Sequence, residues 1–187
     1  VYAMGVVFLY MVFYYAGAGW ASNLSLVANM FFIFGILDAI GAVLTLPGMA
    51  GIVLTIGMAV DANVLIYERV REELAGGKSV DAAVKDGYKH SYGAILDSNL
   101  TTLLTAVILY LFGTGPIRGF ATTLIIGILS SLFTAIFISR LYLEWRLSKK
   151  SEVTFSNRFS KEFFANANFG FMQNRKIAYV VSLVLVV

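Results

Sequence analysis

The sequence predicts an all-α protein, a polytopic bundle of transmembrane helices. Three observations predict it. Of 187 residues, 59% are hydrophobic and 13% charged, with a mean hydropathy of +0.80, whereas a soluble domain carries about 25% charged residues. The first 67 residues hold only two formally charged side chains, Asp38 and Asp61. Thirteen of the fourteen Lys and Arg fall in two segments, with long charge-poor runs between them. The chemistry is bounded as well. Zero cysteines exclude disulfides and thiolate sites, and a single histidine, His90, argues against a histidine metal site or a serine–histidine triad.

The elements follow in order. A crossing needs about 20 apolar residues, so the first charge-poor stretch divides at two turn-like compositions, Gly17-Ala18-Gly19-Trp20-Ala21-Ser22-Asn23 and Thr45-Leu46-Pro47-Gly48. Three spans result, at 1–16, 24–44 and 48–67. The first is short, as expected of a chain that begins inside a helix or at its edge, and no basic stretch precedes it as in a signal peptide. Two more are predicted at 95–113 and 119–142, separated by Gly113-Thr114-Gly115-Pro116-Ile117-Arg118. A sixth opens at 177 and runs to residue 187, too few residues for a crossing, so the chain is expected to stop inside it.

Basic residues orient the bundle. Arg69, Arg71, Lys78, Lys85 and Lys89 lie in the loop 68–94, and the other eight lie at or beyond the end of the fifth span, leaving Arg118 alone on the opposite side. The positive-inside rule makes both segments cytoplasmic. Within 68–94 the third helix should run on to Gly76-Gly77, with Ser79 capping a second short helix that carries Val80, Ala83, Val84 and Tyr88 on one face. That helix should lie against the membrane surface or the base of the bundle. His90 reads as a solvated loop histidine. The linker 146–176 is basic and spiked with aromatics; Phe155, Phe159 and Phe163 recur every four residues, so a short helix fits, and interfacial anchoring explains them better than nucleic-acid binding.

The informative residues are polar ones inside the membrane. An Asp at mid-membrane costs about 2.5–3.5 kcal/mol on insertion scales. Asp61 lies seven residues before Glu68, about 10 Å inside the cytoplasmic boundary at ~1.5 Å per residue, and its own helix offers no Lys or Arg at that depth. Two readings stand level on this residue alone: a water-reachable carboxyl that gains and loses a proton, and a protonated structural Asp bonded to a neighbouring helix. Gly57, one turn away, together with Gly48 and Gly51, suits close helix approach. The fourth span opens with the polar stripe Asp97-Ser98-Asn99-Leu100-Thr101-Thr102, in which Asp97 is equally well an N-cap. The fifth span repeats small residues every four positions, Gly119, Thr123, Gly127, Ser131, Ala135 and Ser139, as a helix-packing seam does. Asp38, near the outward end of the second span, suits packing or snorkelling. No nucleophile–base pair, phosphate loop or metal cluster appears, which argues against an enzyme.

Three stretches resemble the SecD/SecF family of bacterial protein-export membrane proteins. They are residues 45–73, including Gly57-Met58-Ala59-Val60-Asp61-Ala62-Asn63-Val64; Ile95-Leu96-Asp97-Ser98-Asn99-Leu100-Thr101-Thr102; and Gly119-Phe120-Ala121-Thr122-Thr123-Leu124-Ile125-Ile126-Gly127-Ile128. The resemblance covers residues 1–145, and Asn168-Phe169-Gly170-Phe171-Met172-Gln173-Asn174-Arg175-Lys176 is similar to the start of a SecF part. It implies a fused SecD–SecF polypeptide and one half of a pseudo-symmetric fold of the resistance-nodulation-division type. In such a fold the five complete spans here would be the second to sixth. The function implied is proton-motive-force-driven completion of preprotein export at the bacterial inner membrane, with the SecYEG channel, the SecA motor and the SecF half as partners. Unfolded preprotein would be held by extracytoplasmic domains absent from this chain; membrane lipids are expected partners, nucleic acid is not. The family's key acid falls on Asp61, with Asp97, Asn99 and Thr102 beside it as supporting polar groups and Asn63 counted with them. No cofactor is expected beyond the coupling ion, H⁺ or alternatively Na⁺. The cation and second acid that work with this carboxyl belong to the half not present. Two competing readings are a proton-driven efflux or lipid transporter of the same superfamily, and a passive bundle that only stabilises partner subunits.

Overall fold

A computed structural model describes residues 2–149 together with Thr154, Phe155, Tyr179 and Ser182. The chain divides into two units, 1–157 and 158–187; within the second, Tyr179 and Ser182 are helical. The first unit is entirely helical in its described elements: α1 (Tyr2–Tyr15), α2 (Gly17–Ala39), α3 (Leu46–Ala75), α4 (Val80–Phe112), and a long rod made of α5 (Pro116–Phe133), a π-helical turn (Thr134–Ile138) and α6 (Ser139–Ser148). Among the described residues, α2, α3, α4 and the rod are long and apolar enough to cross a membrane, and α1 is a shorter apolar helix. Helix α3 is central, packing against α2, α4 and the rod.

The first predicted loop is not a loop. Residues 17–23 form the start of α2, and the only break is at Ala16, where φ is 47°. Glycine, alanine and serine there read as turn composition because the same small residues permit a tight hairpin. Gly19 sits against the backbone of Met11, where any Cβ would overlap the Met11 carbonyl. Ala16 has no side chain to cap α2, so the orphan N–H groups of its first turn find a distant partner: Gly17 N–H donates to Thr154 Oγ1 (3.3 Å) and Ala18 N–H to the Thr154 carbonyl (3.1 Å).

At the outward end, Thr45 Oγ1 accepts from Gly48 N–H (3.2 Å) with Pro47 in the first turn, and α3 begins at Leu46. At the cytoplasmic end, α3 runs to Ala75, stops at Gly76, and turns through Gly77 (φ 87°). Ser79 caps α4, as the sequence predicted, accepting from Ala82 N–H. The predicted short surface helix and the fourth span are, however, one 33-residue helix, so Asp97 lies mid-helix and caps nothing. Its cytoplasmic third packs at the base of the bundle: Ala83, Val84 and Tyr88 are buried, and Gly87 lies against Val70 too closely for any side chain.

That base is a tyrosine cluster. Tyr67 and Tyr88 hydroxyls both pair with Ser139 Oγ (3.0 and 2.9 Å), joining α3, α4 and α6. Tyr15 O–H donates to Glu68 (2.9 Å), which also accepts from Arg71 (2.8 Å). Phe155 is 2% exposed and stacks edge-on to Tyr67, so it is a core residue of this base and not the lipid anchor expected. Phe159 and Phe163 lie outside the described residues.

The seam of the fifth span holds. Gly119 faces Thr45, and Gly127 faces Thr55, where a Cβ would stand 2.5 Å from the threonine Oγ1. Ser131 is buried with its hydroxyl donating to the Ile128 carbonyl (2.9 Å). Gly57 is a correction. A Cβ there would meet nothing within 4 Å, so it is not a packing glycine; it opens the exposed side of α3 instead. Asp38, one residue before the end of α2, is exposed.

Candidate functional site

The side of α3 that faces α4 carries the site. Positions 58, 61, 62 and 65 recur at helical spacing and put Met58, Asp61, Ala62 and Leu65 on one face. On α4, positions 95, 98, 99 and 102 do the same with Ile95, Ser98, Asn99 and Thr102. These eight residues line a cleft of about 190 Å³ between the two helices. Asp61 is exposed and has no hydrogen bond or ion pair with any described residue.

The opposite wall is polar. Ser98 Oγ–H donates to the Ile95 carbonyl (3.1 Å), Asn99 Nδ2 to the same carbonyl (2.8 Å), and Thr102 Oγ1–H to the Ser98 carbonyl (3.0 Å). Each spends a donor on its own helix. What remains on this wall is two hydroxyl oxygens and the Asn99 carbonyl oxygen as acceptors, with the second Asn99 N–H still a donor.

Of the five polar residues predicted, the structure brings Asp61, Asn99 and Thr102 together. Asn63 and Asp97 are not with them. Asn63 lies on the far face of α3, 1% exposed, donating to the Ala59 carbonyl (3.2 Å). Asp97 is exposed and lines no part of the cleft. Ser98 takes its place. The signal for Ser98 was in the sequence: counted at helical period from Thr102, the stripe turns positions 95, 98 and 99 toward one side and 97 away.

A family described as protein export membrane protein SecD/SecF, C-terminal, matches residues 1–149. The chain belongs to the SecD/SecF family. The protein translocase subunit SecD of Rhodothermus marinus is 59% identical over 140 residues, 75% of this chain and 22% of that protein. That of Magnetococcus marinus is 58% identical over 138 residues, 74% of this chain and 26% of the other. Among solved structures, the crystal structure of SecDF, a translocon-associated membrane protein from Thermus, aligns with a TM-score of 0.84 at 38% identity, covering 96% of this chain and 24% of that one. SecDF in a super-membrane-facing form gives 0.84 at 39% identity over 97% of this chain and 24% of that one. The chain thus spans about a quarter of the length of the SecD and SecDF proteins it matches. The all-α membrane bundle expected from the sequence, one half of a resistance-nodulation-division-like fold, is the fold of this family.

Proposed function

We propose that this chain is the SecD membrane half of a factor in the bacterial inner membrane that uses proton-motive force to complete preprotein export. Asp61 is the group that takes up and releases the proton. The observation that carries the reading is a carboxyl within an apolar span, with no hydrogen bond or ion pair among the described residues, across a cleft from hydroxyl and amide groups. Its ordinary partners then come from outside this chain: the SecF half of a fused polypeptide supplies the balancing cation, and the SecYEG channel and SecA motor begin the export that this factor finishes. The role is transport rather than catalysis of a covalent step. Identity to named translocase subunits supports export over efflux of small molecules or lipids.

The test is Asp61→Asn in the full-length polypeptide, assayed in inverted membrane vesicles for preprotein that becomes protected from protease. The substitution preserves shape and hydrogen bonding but cannot titrate. Gradient-dependent export is expected to fall to the level of vesicles lacking the protein, at unchanged protein level. Export at the wild-type rate would leave only a passive, structural bundle. Export that follows a sodium gradient and ignores a proton gradient would change the coupling ion and keep the residue.

A further inference from the structure

A second concavity lies between the cytoplasmic half of α4 and the rod, where the charged residues Lys89 and Arg140 give way to the apolar span. It is open and about 810 Å³ in volume, and its walls are largely apolar. We propose that this groove binds one anionic phospholipid, its phosphate held by Lys89 and Arg140 and an acyl chain lying along Phe133 and Phe137.

The geometry sets two cations at one height. Tyr88 and Ser139 are tied by their 2.9 Å hydroxyl contact, so their chain neighbours Lys89 and Arg140 stand level on the two walls. The Arg140 guanidinium lies 5.9 Å from the centre of the Tyr88 ring. Lys89 is exposed and forms no ion pair with any described residue. Arg140 uses Nε on Glu144 (2.7 Å), a carboxylate further toward the cytoplasm. The mouth of the groove is therefore net positive, two cations against one acid.

From that level the rod descends into the membrane through seven residues, about 10 Å, to Phe133. Phe133 and Phe137 are stacked with centroids 5.3 Å apart and are 46% and 61% exposed, and Phe133 also meets the Phe32 ring edge-on at 5.7 Å. Tyr92, half exposed on α4, forms the opposing wall. The π-helical turn supplies Ile136, Phe137 and Ile138 of the lining. Such turns break the regular side-chain register and are frequent at functional sites. A positive rim at headgroup height above an apolar trench is complementary to a molecule with a negative head and a hydrocarbon tail. Zwitterionic lipids match the trench but not the net charge, and free phosphate matches the rim alone.

The full-length protein, delipidated in detergent, is titrated with phosphatidylglycerol, phosphatidylethanolamine or phosphatidylcholine and followed by native mass spectrometry. Phosphatidylglycerol is expected to bind tightest, and Lys89→Gln with Arg140→Gln to weaken it by roughly ten- to thirty-fold, as loss of two basic groups near an anionic headgroup implies, while phosphatidylcholine binding stays the same. Arg140→Lys, which retains charge, should restore most of the affinity. In otherwise native protein, the indole introduced by Phe137→Trp should be quenched more by brominated phosphatidylglycerol than by brominated phosphatidylcholine, which decides the matter even if the double variant misfolds. Equal binding of the three lipids, an unweakened double variant, or an indole no lipid quenches because another part of the polypeptide covers the groove, would each overturn the proposal. So would glycerol 3-phosphate alone competing as well as the lipid.

Discussion

Asn99 and Asp97 are two residues apart and chemically similar, yet α4 turns only one of them into the cleft. Asn99 spends one Nδ2 hydrogen on the Ile95 carbonyl and keeps its carbonyl oxygen and a second N–H in the cleft that Asp61 lines. If Asn99 Oδ1 pairs with the proton or cation taken up at Asp61, as proposed, that hydrogen bond to a charged group contributes about 1.5–3 kcal/mol. Asn99→Leu is therefore expected to slow gradient-driven export roughly tenfold or more, while Asp97→Asn, which leaves the cleft untouched, exports at close to the wild-type rate. Initial rates in the same vesicle assay check both. The reverse order of effects would mean that Asp97, and not Asn99, works with Asp61. Ser98 teaches the same lesson. Residue type alone drew attention to the carboxylate, whereas helical period selects the serine.

At the scale of elements, the α3–α5 seam is held by glycines that face threonines. Gly127→Val would force the side chain into Thr55, and overpacking of this kind costs about 1–3 kcal/mol. A lower unfolding temperature in detergent is the expected outcome. Gly57→Ala meets no atom within 4 Å, and replacing a mid-helix glycine gains about 0.5–1 kcal/mol. It should leave the unfolding temperature unchanged or slightly higher; a fall as large as that for Gly127→Val would reveal a neighbour beyond this chain. The α3–α4 hairpin makes a pH prediction. Lys78 Nζ bridges Glu73 (2.7 Å) and Asp86 (2.5 Å), and His90 also contacts Glu73 (3.1 Å). The hydrogen bond from Lys78 holds both carboxyls below their ordinary range, and the hydrogen bonds to Asp86 and Glu73 hold the Lys78 ammonium above its own. The carboxyl contribution is thus present above the usual carboxylate range, about pH 4, and is lost as pH falls through the lowered values. The lysine contribution is complete below about pH 10.4 and is lost as pH rises through the raised value. Spin labels on the tips of α3 and α4 should hold a fixed separation from pH 5 to 9 and spread only below about pH 4 or above about pH 10.4. A separation that already varies near neutrality would refute the staple.

For the whole molecule, the arrangement of exposed surface is the informative feature. Helix α4 buries its cytoplasmic third in the tyrosine base, but from Leu100 to Phe112 its apolar residues are largely exposed, including Leu100, Leu104, Val107, Ile108 and Leu111. The cleft with Asp61 opens at the level where that exposed face begins. On the proposed reading, a carboxyl at the edge of the bundle rather than in its core is completed by a group outside this chain. That is why the loss of export expected of Asp61→Asn is to be read in the full-length polypeptide: the chain spans about a quarter of the length of its relatives.

Composition and charge determined the class, the membrane setting and the orientation, because the cost of burying charge in hydrocarbon is so large that few sequences disguise it. They also isolated Asp61, for the same reason. The helix limits at Thr45, Gly76 and Ser79 were legible because caps act over three or four residues. What depended on contacts between distant residues was not. Small residues at 17–23 serve a loop or a tight helix pair equally well, and only the approach of Gly19 to Met11 decided for the pair. The capping of α2 by Thr154 joins groups 137 residues apart. Gly57 and Gly127 are the same residue in the same kind of helix, and the neighbour each has, or lacks, was decided by packing alone.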